Sequence, residues 1–323
     1  ARVPDAPLPV DEGAVVDAPS PVDTSIVDAP AVDPPAGEAG RVIDATASLE
    51  AGRIDAAACT VLPSRFDIDT VLPKGCYLAQ RSPIIGASVR LTLSPGVTIF
   101  FSAATELTIS GNQVLVAKGT AAEPILLTGL DPSRGYWTGV AFEGTLLPDS
   151  VLDYVTIEYA GSTQSDRNGA GVKMTADSRG VRASITNTTV RGSQGWGMWL
   201  GGSAVLGAFA KNTLTGNTLG PASVSTEVVG MLDAGSTYKG NDRDELVVMD
   251  RAISKTAAWA DLDVPYYVNT GVRLGGTLAV PVDWTIAPGT TFIMASEAAI
   301  ESTEFSALIA AGLRIEQLNE HEK

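Results

Sequence analysis

A five-residue phrase that returns at a fixed interval of 24 residues constrains the fold of this chain more than any other feature. Each copy has Thr, a large or apolar residue, a variable residue, Gly and a small polar residue. The copies are Thr189–Ser193, Thr213–Asn217 and Thr237–Asn241. The same interval joins further positions: Val181, Val205 and Val229; Ile185 and Phe209; Met174 and Met198. Several independent positions that share one period are typical of a stacked repeat, in which each unit makes one structural turn.

Short apolar runs within each interval predict what a turn is made of. In the second interval these runs are Trp196–Leu200, Val205–Phe209 and Thr213–Thr215, separated by Gly, Asn or Ser. One such turn cannot bury its apolar side alone, but successive turns can pair every strand in parallel with the next, about 4.8 Å away. Parallel strands joined by short loops, without crossover helices, require a coil. The pattern predicts an all-β fold, a parallel β-helix or solenoid with about 24 residues per turn.

A longer repeat indicates how the domain is organised. The run Leu91–Phe101 has apolar residues at alternate positions around a Pro-Gly turn, and a shift of 193 residues places Trp284–Met294 over it without a gap. The match continues until Gly119 coincides with Gly312. We therefore expect a β-helical domain over residues 59–312, with a second module copy beginning near residue 264. Residues 313–323 are polar and helix-prone, and they are expected to form a tail or a cap.

The first 58 residues differ in composition from the rest of the chain. They hold 11 acidic and 3 basic residues, 8 of the 19 prolines and no aromatic residue. Such a segment cannot bury enough apolar surface to offset the entropy lost on ordering. We expect residues 1–58 to form a disordered, extended and acidic tether.

Charge and composition exclude several classes of function. The 323 residues carry a formal net charge of −15, whereas nucleic acids and anionic membranes bind basic patches. The chain has no run of about 18 apolar residues. Two cysteines and one histidine cannot form a structural zinc site. We expect a monomer with no nucleic-acid partner, no membrane span, no metal and no cofactor.

The chain resembles the right-handed parallel β-helix proteins found among exported bacterial proteins, over roughly residues 70–312. The resemblance rests on the Pro-Gly runs at Leu91–Phe101 and Trp284–Met294, the segment Val264–Val268 and the Gly-Asn turns. The Asp-Ala-Pro repeats of residues 1–58 look like the leader of secreted or lipid-anchored bacterial surface proteins. The resemblance implies an extracellular or outer-surface location, with the N-terminal segment as a lipoprotein-like tether.

The two cysteines bear on the same question of compartment. In an exported protein Cys59 and Cys76 would pair as a disulfide, closing a loop worth about 3 kcal/mol in the chain-entropy model. Two free thiols are the alternative.

Three functions stay open, because β-helices host polysaccharide lyases and hydrolases, adhesins and passive stalks. We favour a surface scaffold or binding module with polysaccharide as the ligand. The first alternative is a polysaccharide lyase or glycoside hydrolase near residues 161–170, where aligning Thr156 with Thr189 needs nine residues more than one repeat. Calcium is expected only for this enzyme. The second alternative is a passive structural spacer.

Candidate catalytic residues surround that insertion, and with Glu143 they could gather on one face of the stack. They are Asp153, Glu158, Asp166, Arg167 and Lys173. Polysaccharide-cleaving β-helices use carboxylates to hold Ca²⁺ or to move a proton, and Arg or Lys to handle the substrate. This region has no Asp-Asp pair and no Asp-x-Asp motif, which favours a solvated loop. Glu158 and Arg191 are expected to be outward-facing neighbours on adjacent strands.

The aromatic and turn residues complete the set of candidates. In the 24-residue register Trp196 points inward with Val172, and Trp199 points outward, where it can stack on a sugar ring. Trp137 and Tyr159 are expected to extend that stacking surface. Ser193, Asn217 and Asn241 occupy equivalent turn positions, where they can form a ladder of amide hydrogen bonds along the stack or simply tolerate the bend of the backbone.

Overall fold

The computed structural model describes residues 58–144, 150–163, 169–175, 181–202 and 204–317, and the regular secondary structure of these residues is almost entirely β-strand. The tether expected over residues 1–58 lies outside the described residues except for Ala58, and so do residues 318–323 of the expected tail.

The described strands are short, and one helical turn, α1 (Thr226–Val229), accompanies them. The first ten are β1 (Thr60–Val61), β2 (Arg65–Phe66), β3 (Thr70–Leu72), β4 (Gly75–Ala79), β5 (Ile84–Ile85), β6 (Arg90–Leu93), β7 (Val97–Phe101), β8 (Glu106–Ser110), β9 (Val114–Lys118) and β10 (Ile125–Gly129). The next ten are β11 (Gly139–Glu143), β12 (Ser150–Asp153), β13 (Val155–Glu158), β14 (Ala170–Thr175), β15 (Val181–Thr186), β16 (Thr189–Arg191), β17 (Trp196–Leu200), β18 (Ala204–Ala210), β19 (Thr213–Thr215) and β20 (Gly220–Val224). The last are β21 (Leu246–Val248), β22 (Ala252–Ile253), β23 (Ala257–Trp259), β24 (Tyr266–Val268), β25 (Val272–Leu274), β26 (Val282–Ile286), β27 (Thr291–Met294), β28 (Ile300–Ser302), β29 (Ser306–Ala310) and β30 (Arg314–Gln317).

All neighbouring strands in the sheets run parallel. A seven-stranded sheet has the order β1-β4-β7-β10-β13-β16-β19, and a six-stranded sheet has the order β18-β15-β12-β9-β6-β3. A nine-stranded sheet has the order β30-β27-β24-β21-β20-β17-β14-β11-β8. Three smaller sheets are β2-β5, β22-β25-β28 and β23-β26-β29.

Most consecutive strands enter different sheets, and most strands pair with the strand three further along the chain; β20 is an exception, because it pairs with β21. Thus β7, β8 and β9 belong to the seven-, nine- and six-stranded sheets, and β10, β11 and β12 lie beside them in the same order. We call three such consecutive strands a rung. An all-β fold with parallel sheets was expected, and this arrangement is compatible with a β-helix or solenoid.

The core forms because alternate side chains of every strand point between the sheets. In the seven-stranded sheet one apolar residue from each rung lies opposite the next, and each is at most 1% exposed. This column consists of Ile99, Leu127, Ile157, Val190 and Leu214. Burying one side chain of this size contributes about 1.5–3 kcal/mol, so the column stabilises the stack at every rung.

The recurring phrase forms a turn and an amide ladder. Gly192 and Gly216 both have φ of +66°, a conformation that strains residues with a Cβ. Asn217 Oδ1 accepts a hydrogen bond from the backbone N–H of Ser193 at 3.0 Å, and Asn241 Oδ1 accepts one from Asn217 N–H at 3.0 Å. Each contact spans 24 residues. The ladder was one of the two structural roles that the sequence left open for these residues, and the structure contains it.

A second ladder, not predicted, lies on the other side of the same short strands. Asn212 Oδ1 accepts from the backbone N–H of Thr188 at 3.0 Å, and Ser236 Oγ accepts from Asn212 N–H at 2.8 Å, again over 24 residues. Strands β16 and β19 are therefore held by side-chain hydrogen bonds at both ends. The signal was present in the sequence, because Thr188, Asn212 and Ser236 keep the same interval.

The 24-residue interval does not predict which residues pair in every strand. Ile185 lies opposite Phe209 as predicted, but Val172 lies opposite Met198 instead of Trp196. Trp196 is half-buried at the start of β17, opposite Ala170, so the prediction of a core position for it was wrong. The reason is that the residues that lengthen this rung are not confined to 161–170. They are divided between the loops on the two sides of β14.

The sequence left two features open, the pairing of the cysteines and the structure of the C-terminal tail. Cys59 and Cys76 form a disulfide that spans 17 residues, with their Cα atoms 4.8 Å apart, which confirms the expected pairing. At the other end Arg314–Gln317 form a strand beside β27, not the helix that the composition favoured. Ile315 lies opposite Phe292 and takes the same place in the apolar–polar alternation of a strand. This strand pattern outweighs the helix propensity of the tail.

Candidate functional site

A groove of about 370 Å³ lies on the outer face of the nine-stranded sheet. It crosses β8, β11 and β14. Its lining residues are Ser82, Ala104, Glu106, Thr138, Gly139, Val140, Glu143, Gly169, Ala170 and Lys173. The carboxylates of Glu106 and Glu143 and the ammonium group of Lys173 stand at outward positions of these adjacent strands. Side chains alternate along a strand, so the neighbours of these residues point into the core.

Lys173 connects this groove to Trp199. The two residues lie opposite each other on β14 and β17, and Lys173 Nζ is 5.8 Å from the centroid of the Trp199 ring. An ammonium group at this distance over an indole makes a cation–π contact. Trp199 is half-buried, while its neighbours Met198 and Leu200 are fully buried. The prediction that Trp199 points outward is therefore confirmed, and its role toward a ligand stays a prediction.

The two glutamates of the groove have different surroundings. Thr108 Oγ1 donates a hydrogen bond of 2.9 Å to Glu106 Oε2, and the Glu106 backbone N–H donates to Ser82 Oγ at 2.9 Å. Within the described residues the Glu143 carboxylate accepts no hydrogen bond and forms no ion pair. Among the described residues, Glu143 is therefore the groove carboxylate whose oxygen atoms are free to accept hydrogen bonds from a ligand. Sequence reasoning missed Glu106, although its position just before buried Leu107 indicates an outward side chain.

Glu158 and Arg191 are cross-strand neighbours as predicted, but Glu158 is not exposed. Arg191 Nη2 and Nε donate to Glu158 Oε2 at 2.7 and 2.8 Å. Thr128 Oγ1 donates to Glu158 Oε1 at 3.1 Å. The glutamate is 8% exposed, because Thr128 and Arg191 cover it from the two adjacent strands. Both carboxylate oxygens are engaged, so this pair acts within the sheet.

Trp137 is not a stacking surface for a ligand, and this expectation was wrong. Its side chain is fully buried, with its ring stacked on Phe101 at a centroid distance of 4.1 Å. Trp137 Nε1 donates to the carbonyl oxygen of Glu158 at 2.9 Å, so its one polar atom is satisfied inside the fold. Tyr159 is half-buried with a φ of +61°, and a role in stacking stays a prediction for this residue.

The remaining catalytic candidates are not brought together on one face. Asp153 lies in the six-stranded sheet, Glu158 in the seven-stranded sheet and Lys173 in the nine-stranded sheet. The expectation of one face was wrong because the chain turns a corner after each short strand. Asp153 Oδ1 accepts hydrogen bonds from Thr186 Oγ1 and Asn187 Nδ2, both at 2.8 Å. Asp166 and Arg167 lie outside the described residues.

A second cavity of about 270 Å³ shares one wall residue with the groove. That residue is Ala104, whose φ is +57°. The lining of this cavity includes Arg134, which donates to Thr218 Oγ1 at 2.8 Å and from Nη2 to Asp242 Oδ1 at 3.1 Å. The hydrogen bond from Arg134 holds the pKa of the Asp242 carboxyl below its usual range. The contact joins residues that are 108 positions apart in the sequence.

The tyrosines whose pKa is raised most lie in the core, where burial disfavours the phenolate of Tyr238 and Tyr266. Their hydroxyls donate to the carbonyl oxygens of Asp233 and Ala260 at 3.0 and 2.7 Å. Among the described residues no three His, Cys, Asp or Glu side chains are close enough together to hold a metal ion.

Comparisons with known proteins assign no function to this chain. Over the described ranges, no helix has the length and apolar character needed to cross a membrane. No protein-family model, no curated protein and no solved structure matches this chain.

Proposed function

We propose that this chain is a right-handed parallel β-helix, with about 24 residues per turn in its central part, that serves as an exported surface module binding polysaccharide. The pairing of most strands with the third strand after them supports the helix, as do the two side-chain ladders that span 24 residues. The acidic segment of residues 1–58 supports a tethered, extracellular location.

The row formed by Lys173 and Trp199 beside the groove carries the binding proposal. An indole at the surface of a flat sheet offers an apolar face to a sugar ring, and a groove beside it can hold the neighbouring sugar. Glu143 can accept hydrogen bonds from sugar hydroxyls. The ammonium group of Lys173 lies over the ring at 5.8 Å, where it can pair with the carboxylate of an acidic sugar. We therefore expect the contribution of Lys173 to be confined to acidic sugars, whereas stacking on Trp199 serves neutral and acidic sugars alike.

Hydrolysis or elimination has weaker support than binding. General acid–base cleavage needs two groups on opposite sides of one bond. The described candidates Asp153, Glu158 and Lys173 lie in three different sheets, and both carboxylates accept hydrogen bonds from neighbouring side chains. We keep cleavage as an outcome that the experiment can reveal.

A binding titration against acidic and neutral glycans, with and without Ca²⁺, tests the proposal. Trp199→Ala should weaken binding about tenfold or more, since loss of ring stacking costs about 1.4 kcal/mol or more. Lys173→Ala should weaken binding of the acidic glycans selectively. Tyr267→Ala is the matched control, because Tyr267 is a half-buried aromatic residue at an outward position of the same sheet, on β24.

Each other outcome points to a different function. New reducing ends or unsaturated products would show a polysaccharide-degrading enzyme instead of a binding module. No binding to any glycan by the unaltered chain would leave the passive spacer. Equal losses in Trp199→Ala and Tyr267→Ala would remove the groove from the proposal.

A further inference from the structure

The cavity of about 270 Å³ beside the groove differs from the groove in charge. The groove contains the carboxylates of Glu106 and Glu143, whereas none of the described residues that line the second cavity is Asp or Glu. Arg134, in the loop between β10 and β11, brings the one charge among those lining residues. A cavity lined by a cation and by no described carboxylate favours an anionic group of a ligand.

The guanidinium group of Arg134 is already held in one orientation. Nη1 donates a hydrogen bond to Thr218 Oγ1 at 2.8 Å, and Nη2 donates one to Asp242 Oδ1 at 3.1 Å. Nη1 also donates to the other carboxylate oxygen of Asp242. The Arg134 side chain is nevertheless 40% exposed, so a ligand can reach it. Because the group is fixed before a ligand arrives, little side-chain entropy is lost on binding.

One edge of this guanidinium group has no partner among the described residues. Asp242 occupies the edge formed by Nη1 and Nη2, which leaves Nε–H and the second N–H of Nη2. These two N–H groups form a parallel fork that matches a carboxylate. The chain uses the same edge elsewhere, since Arg191 donates from Nε and Nη2 to Glu158 Oε2 at 2.8 and 2.7 Å. Arg134 can therefore hold a second carboxylate, supplied by a ligand.

Neutral donors lie beside this fork in the lining of the cavity. Gln194 Oε1 accepts a hydrogen bond from the backbone N–H of Thr163 at 3.1 Å, which leaves the Gln194 amide N–H groups as donors to a ligand. Gly135, at a φ of +76°, lets the loop lie against Gln194, because a Cβ there would stand 2.4 Å from Gln194 Oε1. Tyr136 is half-buried and adds an aromatic ring and a hydroxyl group. A ring with polar groups around it is suited to a sugar.

We propose that this cavity is a subsite for one uronic-acid unit of an acidic polysaccharide, with the sugar carboxylate bound by the Nε–H and Nη2–H fork of Arg134. The inference rests on the proposed function and names the class of sugar. A volume of about 270 Å³ lies just below the roughly 300–1,000 Å³ of sites for drug-sized ligands, so the cavity has room for a single sugar unit. Ala104 lines both the cavity and the groove, so neighbouring units of one polymer can occupy the two.

A chemical-shift titration of the full chain, with isotope-labelled arginine and methyl glucuronoside as the probe, tests the subsite. The Nε–H signal of Arg134, identified by its loss in Arg134→Lys, should move as the probe is added. Methyl glucoside has the same ring with a hydroxymethyl group in place of the carboxylate, and it should bind about tenfold or more weakly. Acetate should also bind about tenfold or more weakly, since it lacks the ring.

Variants separate the fork from charge alone, with binding followed on the proton signals of the probe. Arg134→Lys keeps a cation beside Asp242 but lacks the fork, and it should weaken binding of the glucuronoside about tenfold. Gln194→Glu keeps an acceptor for Thr163 N–H and adds a negative charge to the lining, so it should weaken the glucuronoside selectively. Arg251→Lys alters a half-exposed arginine paired with Glu301 and is the matched control, expected to leave binding unchanged.

An unmoved Nε–H signal of Arg134 in the unaltered chain would overturn the proposal, and so would equal affinity for the glucuronoside, the glucoside and acetate. An unchanged affinity in Gln194→Glu would also contradict it. Trp199→Ala separates this result from the proposed function, because the single sugar should bind the cavity equally well without that indole. Polysaccharide binding that depends on Trp199 but leaves the Arg134 signal unmoved would keep the module and remove the subsite. A moved signal without polysaccharide binding would keep the sugar site and remove the polysaccharide module.

Discussion

Arg191 lies beside Glu158 on the adjacent parallel strand and donates two hydrogen bonds to one oxygen of that buried carboxylate. The arginine is half-exposed, whereas only 10% of the Glu158 side chain is accessible. The two partners therefore contribute unequally to stability. The buried charge of Glu158 needs Arg191 as its counter-ion, whereas Arg191 remains in contact with water.

Arg191→Ala should lower the free energy of unfolding by about 1–3 kcal/mol, because it leaves the Glu158 carboxylate buried without its cation. Denaturant titration at neutral pH measures this. Arg243→Ala, which removes an exposed ion pair with Glu245, is the control and should change stability by less than about 0.5 kcal/mol. Equal effects of the two variants would mean that burial of Glu158 is unimportant.

Asn217→Ala should cost about 2–4 kcal/mol, since Asn217 is fully buried and serves three rungs. The substitution removes the acceptor for Ser193 N–H and the donor to the Val190 carbonyl oxygen at 3.3 Å. Thermal unfolding measures the loss. Asn112→Ala, at an exposed turn, should be nearly neutral. A neutral Asn217→Ala would show that the ladder does not hold the stack.

Acid should release the contact between Arg134 and Asp242. The pKa of Asp242 in the folded chain is lowered by the Arg134 hydrogen bond, so its contribution is present above the pKa of an unfolded aspartate, about 3.9. It is lost as the pH falls through the lowered value. Asp242→Asn should therefore be less stable than the parent at pH 6, and the difference should disappear in strong acid. A difference that does not depend on pH would contradict this.

Replacing both Cys59 and Cys76 by Ser should destabilise the chain by about 3 kcal/mol, as expected for a loop of this size. The first rung should be affected most, because β1 pairs with β4 next to Cys76. Hydrogen exchange along the chain measures the location. Uniformly faster exchange through to β26 would show that the disulfide stabilises the whole stack and not its first rung.

The sequence predicts that Ser193, Asn217 and Asn241 occupy equivalent turns, because local turn geometry repeats whenever the phrase repeats; the ladder was one of two roles open to them there. It also predicts the outward position of Trp199, because alternation holds within one strand. The position of Trp196 was not predictable from the period. It depends on where the extra residues of the preceding rung leave the stack, and a period measured on one strand does not report this.

The candidate site was predictable only in part, for a related reason. Lys173 and Trp199 were identified as outward residues, but their contact requires the register between β14 and β17. Trp137 was expected to extend the aromatic surface of Trp199. Its burial follows from stacking on Phe101, which is far away in the sequence. Contacts between rungs therefore limit what can be inferred from one strand.

The two side-chain ladders that flank β16 and β19 determine where this protein tolerates changes in length. Thr188 and Ser193 are both hydrogen-bonded to the rung that follows, so a residue inserted between them would break one ladder or the other. The Glu158–Arg191 contact spans 33 residues instead of 24, so extra length is accommodated after Glu158 while the sheet pairing is kept. Related chains should therefore differ in length at the corner between Glu158 and Ala170 and keep the β16 segment constant. A peptide grafted there for display would leave the sheets undisturbed.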